Sequence, residues 1–368
     1  MIDLYFPSVG LRIPGQLQNF EDSLYENLFP ENPFTGNLIS YAYRDDYLKK
    51  WNKDLDRAKA YTKKKGLKNF GDCGAYSFVN LKTPPISVQT IIDFYCEYGV
   101  AEGASLDHII SGYDKSYDSF FDGIPSPLDY QDRLDITLAN AELFLKECKA
   151  QGVDFLPVGS VQGWSPSTYK RCVESYKKMG YKKIAIGGIA HSPTKTIVEI
   201  TSHVREVVGD MSVHLFGITT PSRIRKFNLP QITSVDGMGP YFNAVNSGMY
   251  FFGGKTYWAC SVDTQREEDF SRWAEEDRNE DLRTLIEQSN GTESVPKSYF
   301  EETEELLVDT KFGLDGFSIA LKDKPWRLCP CGVCRKFGAK VFIFKSPYAQ
   351  LRGYHNYFEY YKLLKPAP

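Results

Sequence analysis

The sequence has no long apolar run and no strong excess of charge of either sign. No stretch approaches the length of a membrane-spanning helix, and the first residues, MIDLYF, hold no basic segment followed by an apolar one. These absences argue against a membrane protein or a secretory signal, and we expect a cytoplasmic protein. The net charge of -3 excludes a globally cationic chain, so any contact with nucleic acid would need a local basic surface.

The cysteines are distributed in a way that disulfide pairing does not explain. The chain has 8 cysteines; Cys73, Cys96, Cys148 and Cys172 stand singly, whereas three others fall within the hexapeptide CPCGVC at 329–334. Crowding of this kind is typical of a metal site in a reducing compartment.

The three clustered thiols predict a zinc site. Cys329, Cys331 and Cys334 lie close enough in sequence to occupy three corners of a tetrahedron, the geometry that zinc prefers. His355 is the one histidine that follows the cluster, and it is the predicted fourth ligand. Four protein ligands leave no open position, so this zinc would stabilise the fold and not catalyse. The alternative is a redox-active or merely buried cysteine cluster.

Short apolar runs alternate with longer amphipathic segments between about residues 68 and 236, which predicts repeated βα units around a parallel sheet. The predicted strands are 69–72, 103–109, 154–161, 183–187, 212–217 and 234–236. The predicted helices are 87–98, 130–150, 167–179 and 195–208. Six such strands indicate an eight-stranded α/β barrel in which two strands are less legible.

Three regions are predicted along the chain. Residues 1–260 would form the barrel, 261–328 an acidic helical insertion, and 329–368 a zinc-binding subdomain with the final barrel helix. The insertion is rich in Glu and Asp, and a solvated helical surface is favoured there over a functional acidic patch.

Polar side chains stand at the ends of several predicted strands. Catalytic residues of an α/β barrel lie at the carboxyl ends of its strands, where Asp72, Asp107, Gln162 and Asp236 are expected. Each alone could be a helix cap or a turn residue. Their joint placement favours a site. Gly187 and Gly188 could form a tight turn or present a backbone N–H to a planar ligand, and His191 beyond them is interpreted as a loop residue.

These elements together resemble one enzyme family. The runs DCGAYS (72–77), VQG (161–163), GGIA (187–190) and FGITTP (216–221), then Asp236 and the Cys-x-Cys-x-x-Cys…His site, occur in the order found in tRNA-guanine transglycosylases. The resemblance covers about residues 70–360. It implies a (β/α)8 TIM barrel with an inserted zinc-binding subdomain, structural Zn²⁺, and exchange of guanine for a 7-deazaguanine.

The resemblance also implies roles for individual residues. Asp236 would be the nucleophile that attacks C1′, and Asp72 the general acid/base. Asp107 would bind the Watson–Crick edge of the base, while Gln162 and the backbone at Gly187 and Gly188 would bind its carbonyl side. In the same pocket, Tyr76 is a candidate for stacking on the base.

Several departures from the tRNA enzymes favour a DNA substrate. Cys73 stands where the family usually has Ser, the residues after Asp236 lack the arginine-bearing run that serves anticodon recognition, and the chain between Asp236 and Cys329 is longer. These features resemble the DpdA-type branch, which inserts 7-deazaguanines such as preQ0 into DNA. A tRNA-modifying enzyme and a non-catalytic zinc-stabilised nucleic-acid-binding protein remain as alternatives. The expected partners are DNA and a free 7-deazaguanine base, with a homodimer or a helper protein left open.

Overall fold

The computed structural model describes residues 2–7, 34–43, 63, 66–114, 129–259, 319–345 and 347–365. They fall into two compact units: the first holds residues 2–7 and 35–237, and the second holds Phe34 and the described residues from Met238 onward. No helix in these ranges is both long enough and apolar enough to cross a membrane.

The first unit is a closed barrel of eight parallel strands, which confirms the predicted α/β barrel. Each strand pairs with its neighbour in sequence, and β1 closes the barrel by pairing with β8. The strands are β1 (Asp3–Pro7), β2 (Gly36–Ser40), β3 (Lys68–Asp72), β4 (Glu102–Ala104), β5 (Leu156–Val161), β6 (Lys183–Ile186), β7 (Ser212–Leu215) and β8 (Ile232–Asp236). The two strands that the sequence did not make legible are β1 and β2.

Helices follow the strands, and their ends carry local signals. The helices are α1 (Val88–Tyr98), α2 (Tyr130–Gln151), α3 (Pro166–Met179), α4 (Thr194–Val208) and the short α5 (Pro221–Ile224). Ser87 caps α1 by accepting a hydrogen bond from the Thr90 N–H, and Ser165 with Thr168 forms a capping box at α3. Glycines in the left-handed conformation end both helices.

The barrel interior is filled by side chains from successive strands. The fully or nearly fully buried members of this cluster are Tyr5, Leu38, Phe70, Ala104, Val158 and Ala185. Side chains alternate between the two faces of a strand, so the next inward-facing residues of each strand lie above this layer, at the carboxyl end of the barrel. The packed layer therefore forms the floor on which polar side chains can converge.

The second unit contains α6 (Gly239–Ser247), an antiparallel hairpin of β9 (Met249–Phe252) and β10 (Lys255–Trp258), α7 (Pro325–Leu328), α8 (Gly332–Phe337), α9 (Lys340–Ile343) and α10 (Tyr348–Leu364). The buried guanidinium of Arg352 on α10 donates to the backbone carbonyls of Ala244 and Val341. Asn356 accepts from the Phe251 N–H and donates to the Met249 carbonyl. These bonds tie α6, α9 and the hairpin to α10.

The predicted acidic insertion, residues 261–328, lies mostly outside the described residues. The three predicted regional boundaries stay predictions.

Candidate active site

A cavity of about 380 Å³ opens at the carboxyl ends of the barrel strands. Its lining includes all seven residues that the sequence predicted for catalysis and base binding: Asp72, Tyr76, Asp107, Gln162, Gly187, Gly188 and Asp236. The size falls in the range of small-molecule sites, and convergent polar groups on an apolar lining are typical of such sites. The structure thus brings together residues that lie at or just after the carboxyl ends of β3, β4, β5, β6 and β8.

Asp72 is the last residue of β3, and the chain turns sharply after it. Gly74 has φ 77°, a conformation that side chains rarely adopt, and it starts the 3₁₀ turn Ala75–Phe78. Burial raises the pKa of Asp72 to about 6, and the nearby charges of Asp107 and Asp236 act in the same direction. Hydrogen bonds from Ser40 and the Gly74 backbone oppose the shift only in part. A carboxyl group with a pKa near neutrality can both give and take a proton.

Asp107 does not lie in a strand, and here the sequence prediction was wrong. The strand predicted at 103–109 ends at Ala104. Beyond it, the Ser105 N–H still donates to the Val158 carbonyl, but side chains replace the next backbone bond. The Ser105 hydroxyl accepts from the Ser160 N–H, and the Ser160 hydroxyl donates to the Ser105 carbonyl. Asp107 is therefore held in the loop after β4 and is 5% exposed.

Two donors hold the Asp107 carboxylate. The Cys73 thiol donates to Oδ1 at 3.0 Å, and the Gln162 amide donates to Oδ2 at 2.6 Å. Burial raises the pKa of Asp107, and these two donors oppose the rise. Gln162 follows β5, and its Oε1 accepts from the Ile110 N–H at 3.3 Å, which fixes the orientation of the amide. The arrangement offers carboxylate oxygens to a ligand with adjacent N–H donors.

The two glycines after β6 leave room for this amide. A Cβ on Gly187 would lie 2.4 Å from the Gln162 Nε2, and Gly188 has φ 72°. A side chain at either position would displace neighbouring groups or strain the backbone. Tyr76 stands at the cavity with its side chain 75% exposed, and His191 also belongs to the lining.

Asp236 ends β8 on the other side of the cavity and is 7% exposed. Its Oδ1 accepts from the Gly217 N–H at 3.0 Å and from the His214 Nε2 at 3.2 Å. His214 was missed by sequence reasoning because a histidine within the strand SVHL gives no motif; only the pairing of β7 with β8 places it beside Asp236.

A separate group in the second unit is the predicted metal site. Cys329, Cys331, Cys334 and His355 are buried, and one ligand atom from each lies within 4.8 Å of the others. The three sulfur atoms lie 3.4, 3.5 and 3.4 Å from Nδ1 of His355. Tetrahedral zinc, with Zn–S near 2.3 Å and Zn–N near 2.0 Å, requires S···N separations of about 3.5 Å. The four residues could hold a metal ion, and the geometry is consistent with zinc.

The surroundings of His355 orient it for this task. Its Nε2 donates to the Phe251 carbonyl at 2.7 Å, which leaves Nδ1 as the ligand atom. The Tyr250 ring stacks on the imidazole with centroids 4.0 Å apart, and the Tyr250 hydroxyl lies 3.0 Å from the Cys334 sulfur. A ligating histidine whose second nitrogen donates to a carbonyl is the usual arrangement in metal sites.

Comparison with known proteins decides the family. A curated DNA-guanine transglycosylase from Salmonella montevideo is 30% identical over 377 residues, a match that covers 91% of this chain and 87% of the relative. This chain belongs to the DNA-guanine transglycosylase family. It is therefore an enzyme, a pentosyltransferase. A comparison with models of known protein families gives no match.

Membership in the DNA-guanine transglycosylase family gives the cavity a context. The resemblance to guanine transglycosylases and the DpdA-type branch is confirmed. The roles of the individual residues stay proposals.

Proposed function

We propose that this protein exchanges guanine in DNA for a 7-deazaguanine such as preQ0. The observation that carries the proposal is the meeting of Asp72, Asp107 and Asp236 at one cavity in a member of this family. DNA is favoured over tRNA because the similar protein is named for action on DNA. Since C1′ is inaccessible in a stacked duplex, the target nucleotide would be flipped out or presented single-stranded.

In the first step, Asp236 attacks C1′ of the target nucleotide. A bond forms between a carboxylate oxygen and C1′, and the C1′–N9 bond breaks with its electron pair leaving on guanine. Asp72, protonated, gives its proton to the departing base. The product is a covalent aspartyl-glycosyl intermediate, so one difficult displacement becomes two easier ones.

In the second step, the 7-deazaguanine takes the place of guanine. Asp72, now ionised, accepts the proton from N9 of the incoming base, and N9 attacks C1′. The C1′–O bond breaks and its electron pair returns to the Asp236 carboxylate. The pKa of Asp72 near 6 suits both directions of proton transfer.

Asp107 recognises the base in both steps. Guanine and 7-deazaguanine both carry an N1–H and a 2-amino group, and the Asp107 carboxylate accepts such donors. Gln162 and the backbone at Gly187 and Gly188 are proposed to contact the carbonyl side, with Tyr76 stacking on the base from the cavity rim. The buried Cys₃His group is proposed to hold structural Zn²⁺, which supplies no chemistry at the cavity.

The test compares two substrates and two variants. Purified protein is incubated with preQ0 and either DNA or tRNA, and the nucleosides are analysed by mass spectrometry. We expect the modified nucleoside in DNA, an adduct between protein and DNA, and loss of both in Asp236→Ala. The control is Asp210→Ala, which removes an exposed carboxylate beyond α4. Modification of tRNA and not DNA would identify a tRNA enzyme, and an adduct that persists in Asp236→Ala would exclude the proposed nucleophile.

A further inference from the structure

His214 is enclosed within the barrel among aromatic rings. It is 0% exposed, and the Phe70 ring stacks on its imidazole with centroids 4.3 Å apart at 20°. Phe216 meets the imidazole edge-on at 4.8 Å. A polar ring in such apolar surroundings costs free energy unless both nitrogens are hydrogen-bonded.

Both ring nitrogens have partners, and both partners lie on β8. Nδ1 is 2.9 Å from the Ser234 hydroxyl, and Nε2 is 3.2 Å from Oδ1 of Asp236. Ser234 and Asp236 stand two residues apart, so their side chains share one face of the strand. His214 on β7 is paired with Ser234 in the sheet register, which places the imidazole against that face.

The chemistry of the partners fixes the positions of the protons. An ionised carboxylate only accepts hydrogen bonds, so Nε2 carries the proton that bonds to Asp236. In a neutral imidazole, Nδ1 then accepts, and the Ser234 hydroxyl donates to it. Burial lowers the pKa of His214, and the bond to Asp236 opposes this shift only in part, which is consistent with a neutral ring. The result is a chain of hydrogen bonds that runs from Ser234 through His214 to Asp236.

These hydrogen bonds act on one oxygen of the Asp236 carboxylate. Oδ1 receives two donors, the His214 Nε2–H and the Gly217 N–H. With Oδ1 bound in this way, rotation of the carboxylate is restricted and Oδ2 is left as the attacking atom. The same donors stabilise the negative charge when the carboxylate is released from C1′ by the incoming base.

We infer that His214 is a positioning residue for Asp236, held in the Nε2–H tautomer by Ser234. It acts through the carboxylate and does not touch the substrate. The inference rests on the proposed role of Asp236 as nucleophile. It gives a function to a buried histidine that no sequence motif marks. Packing alone would not require a histidine at this position.

The first test reads the tautomer without any reaction. The chain has 5 histidines, so ring-nitrogen NMR of protein with ¹⁵N-labelled histidine is tractable, and His214→Gln identifies the signal of His214. We expect a neutral ring with the proton on Nε2, and a changed Nε2–H signal in Asp236→Ala. A ring protonated on Nδ1 alone, or on both nitrogens, would overturn the inference.

The second test measures the chemical step with a matched pair of variants. His214→Leu removes both hydrogen bonds, whereas His214→Gln keeps an amide donor near the position of Nε2. A hydrogen bond to a charged group contributes more free energy than one between neutral groups. We therefore expect adduct formation with DNA to slow by about 10- to 100-fold in His214→Leu. His214→Gln should recover a substantial part of that loss. The KM for DNA and the Kd for free preQ0 should change little.

The controls separate failure of this inference from failure of the proposed function. Thermal unfolding and preQ0 binding show whether His214→Leu retains its fold and its pocket. A folded His214→Leu with the wild-type rate, a His214→Gln as slow as His214→Leu, or a loss confined to KM would each reject the positioning role. If wild-type protein forms no adduct with DNA, the proposed function fails, while the tautomer still reports on the hydrogen-bond chain.

Discussion

Gln162 and Asp107 are joined by a hydrogen bond of 2.6 Å from the amide nitrogen to Oδ2 of the carboxylate. The bond fixes both the recognising carboxylate and the amide, whose oxygen is in turn held by the Ile110 N–H. Base recognition therefore depends on the pair, so the two residues should not respond independently to substitution.

Gln162→Glu replaces the donor by a second carboxyl group. Two adjacent carboxylates cannot both ionise readily, so the pair takes up a proton and shares one negative charge, which makes Asp107 a weaker acceptor for the N–H donors of the base. We expect the Kd for free preQ0 to rise by about 10- to 100-fold, measured by equilibrium binding. Gln151→Glu, on an exposed part of α2, is the matched control. Unchanged affinity in Gln162→Glu would show that the base does not depend on this pair.

The thiol of Cys73 is the other donor to Asp107, at 3.0 Å from Oδ1. Cys73→Val removes it and leaves a buried oxygen with one donor fewer, so preQ0 affinity should fall by about fivefold. Cys73→Ser keeps a donor at the same position and should bind more tightly than the valine variant. Equal affinities in the two would assign Cys73 a packing role alone.

Much of the fold could be predicted from the sequence because each βα unit is formed by residues that are close together along the chain. Helix ends were marked by residues such as Ser87 and Ser165, and Asp72 and Asp236 stood at strand ends that short apolar runs identify. Strand β2 was not legible because it is buried at all five positions, and a strand covered on both faces shows little alternation in its sequence.

The parts of the site that escaped prediction are those that depend on pairing between strands. His214 meets Asp236 only because β7 and β8 are neighbours with one register, and nothing local records that register. Asp107 was placed at a strand end, whereas side-chain hydrogen bonds between Ser105 and Ser160 end the ladder early. Competition between side chains and backbone for the same donors is difficult to read from one sequence.

If Cys329, Cys331, Cys334 and His355 hold zinc, removal of one of these ligands should lower both the bound metal and the stability of the protein. Cys331→Ser should lower bound zinc, measured by elemental analysis, and should lower the unfolding temperature, because metal binding contributes to folding free energy. The affinity for zinc should fall by at least about 10-fold, as is seen even for changes around the ligands. Cys96→Ser, at an exposed position in α1, should retain both properties. A full complement of zinc in Cys331→Ser would remove this residue from the ligand set.

The proposed role of Asp72 predicts how the first step depends on pH. Guanine departs with a proton from Asp72, so this carboxyl group must be protonated, and its pKa is about 6. Single-turnover adduct formation should therefore fall by about tenfold per pH unit above about pH 6. Asp72→Asn should be slow throughout and show no such decline. A wild-type rate that is flat across this range would exclude Asp72 as the acid.

Removal of the Asp72 carboxyl group should also raise the free energy of unfolding at neutral pH. The pKa of Asp72 rises from 3.8 to about 6 on folding, so folding disfavours the ionised form. The free energy of unfolding that this group contributes is fully present below about pH 3.8, where the carboxyl group is protonated in the folded and the unfolded protein. It is lost as the pH rises through about 6 and the group ionises in the folded protein. Asp72→Asn, which carries no charge, should be more stable than wild type at neutral pH by about 1–2 kcal/mol, since the side chain is partly accessible from the cavity. Denaturant unfolding measured across this range should show the difference shrinking toward acid. A difference that is constant with pH would mean that the ionisation of Asp72 is not its source.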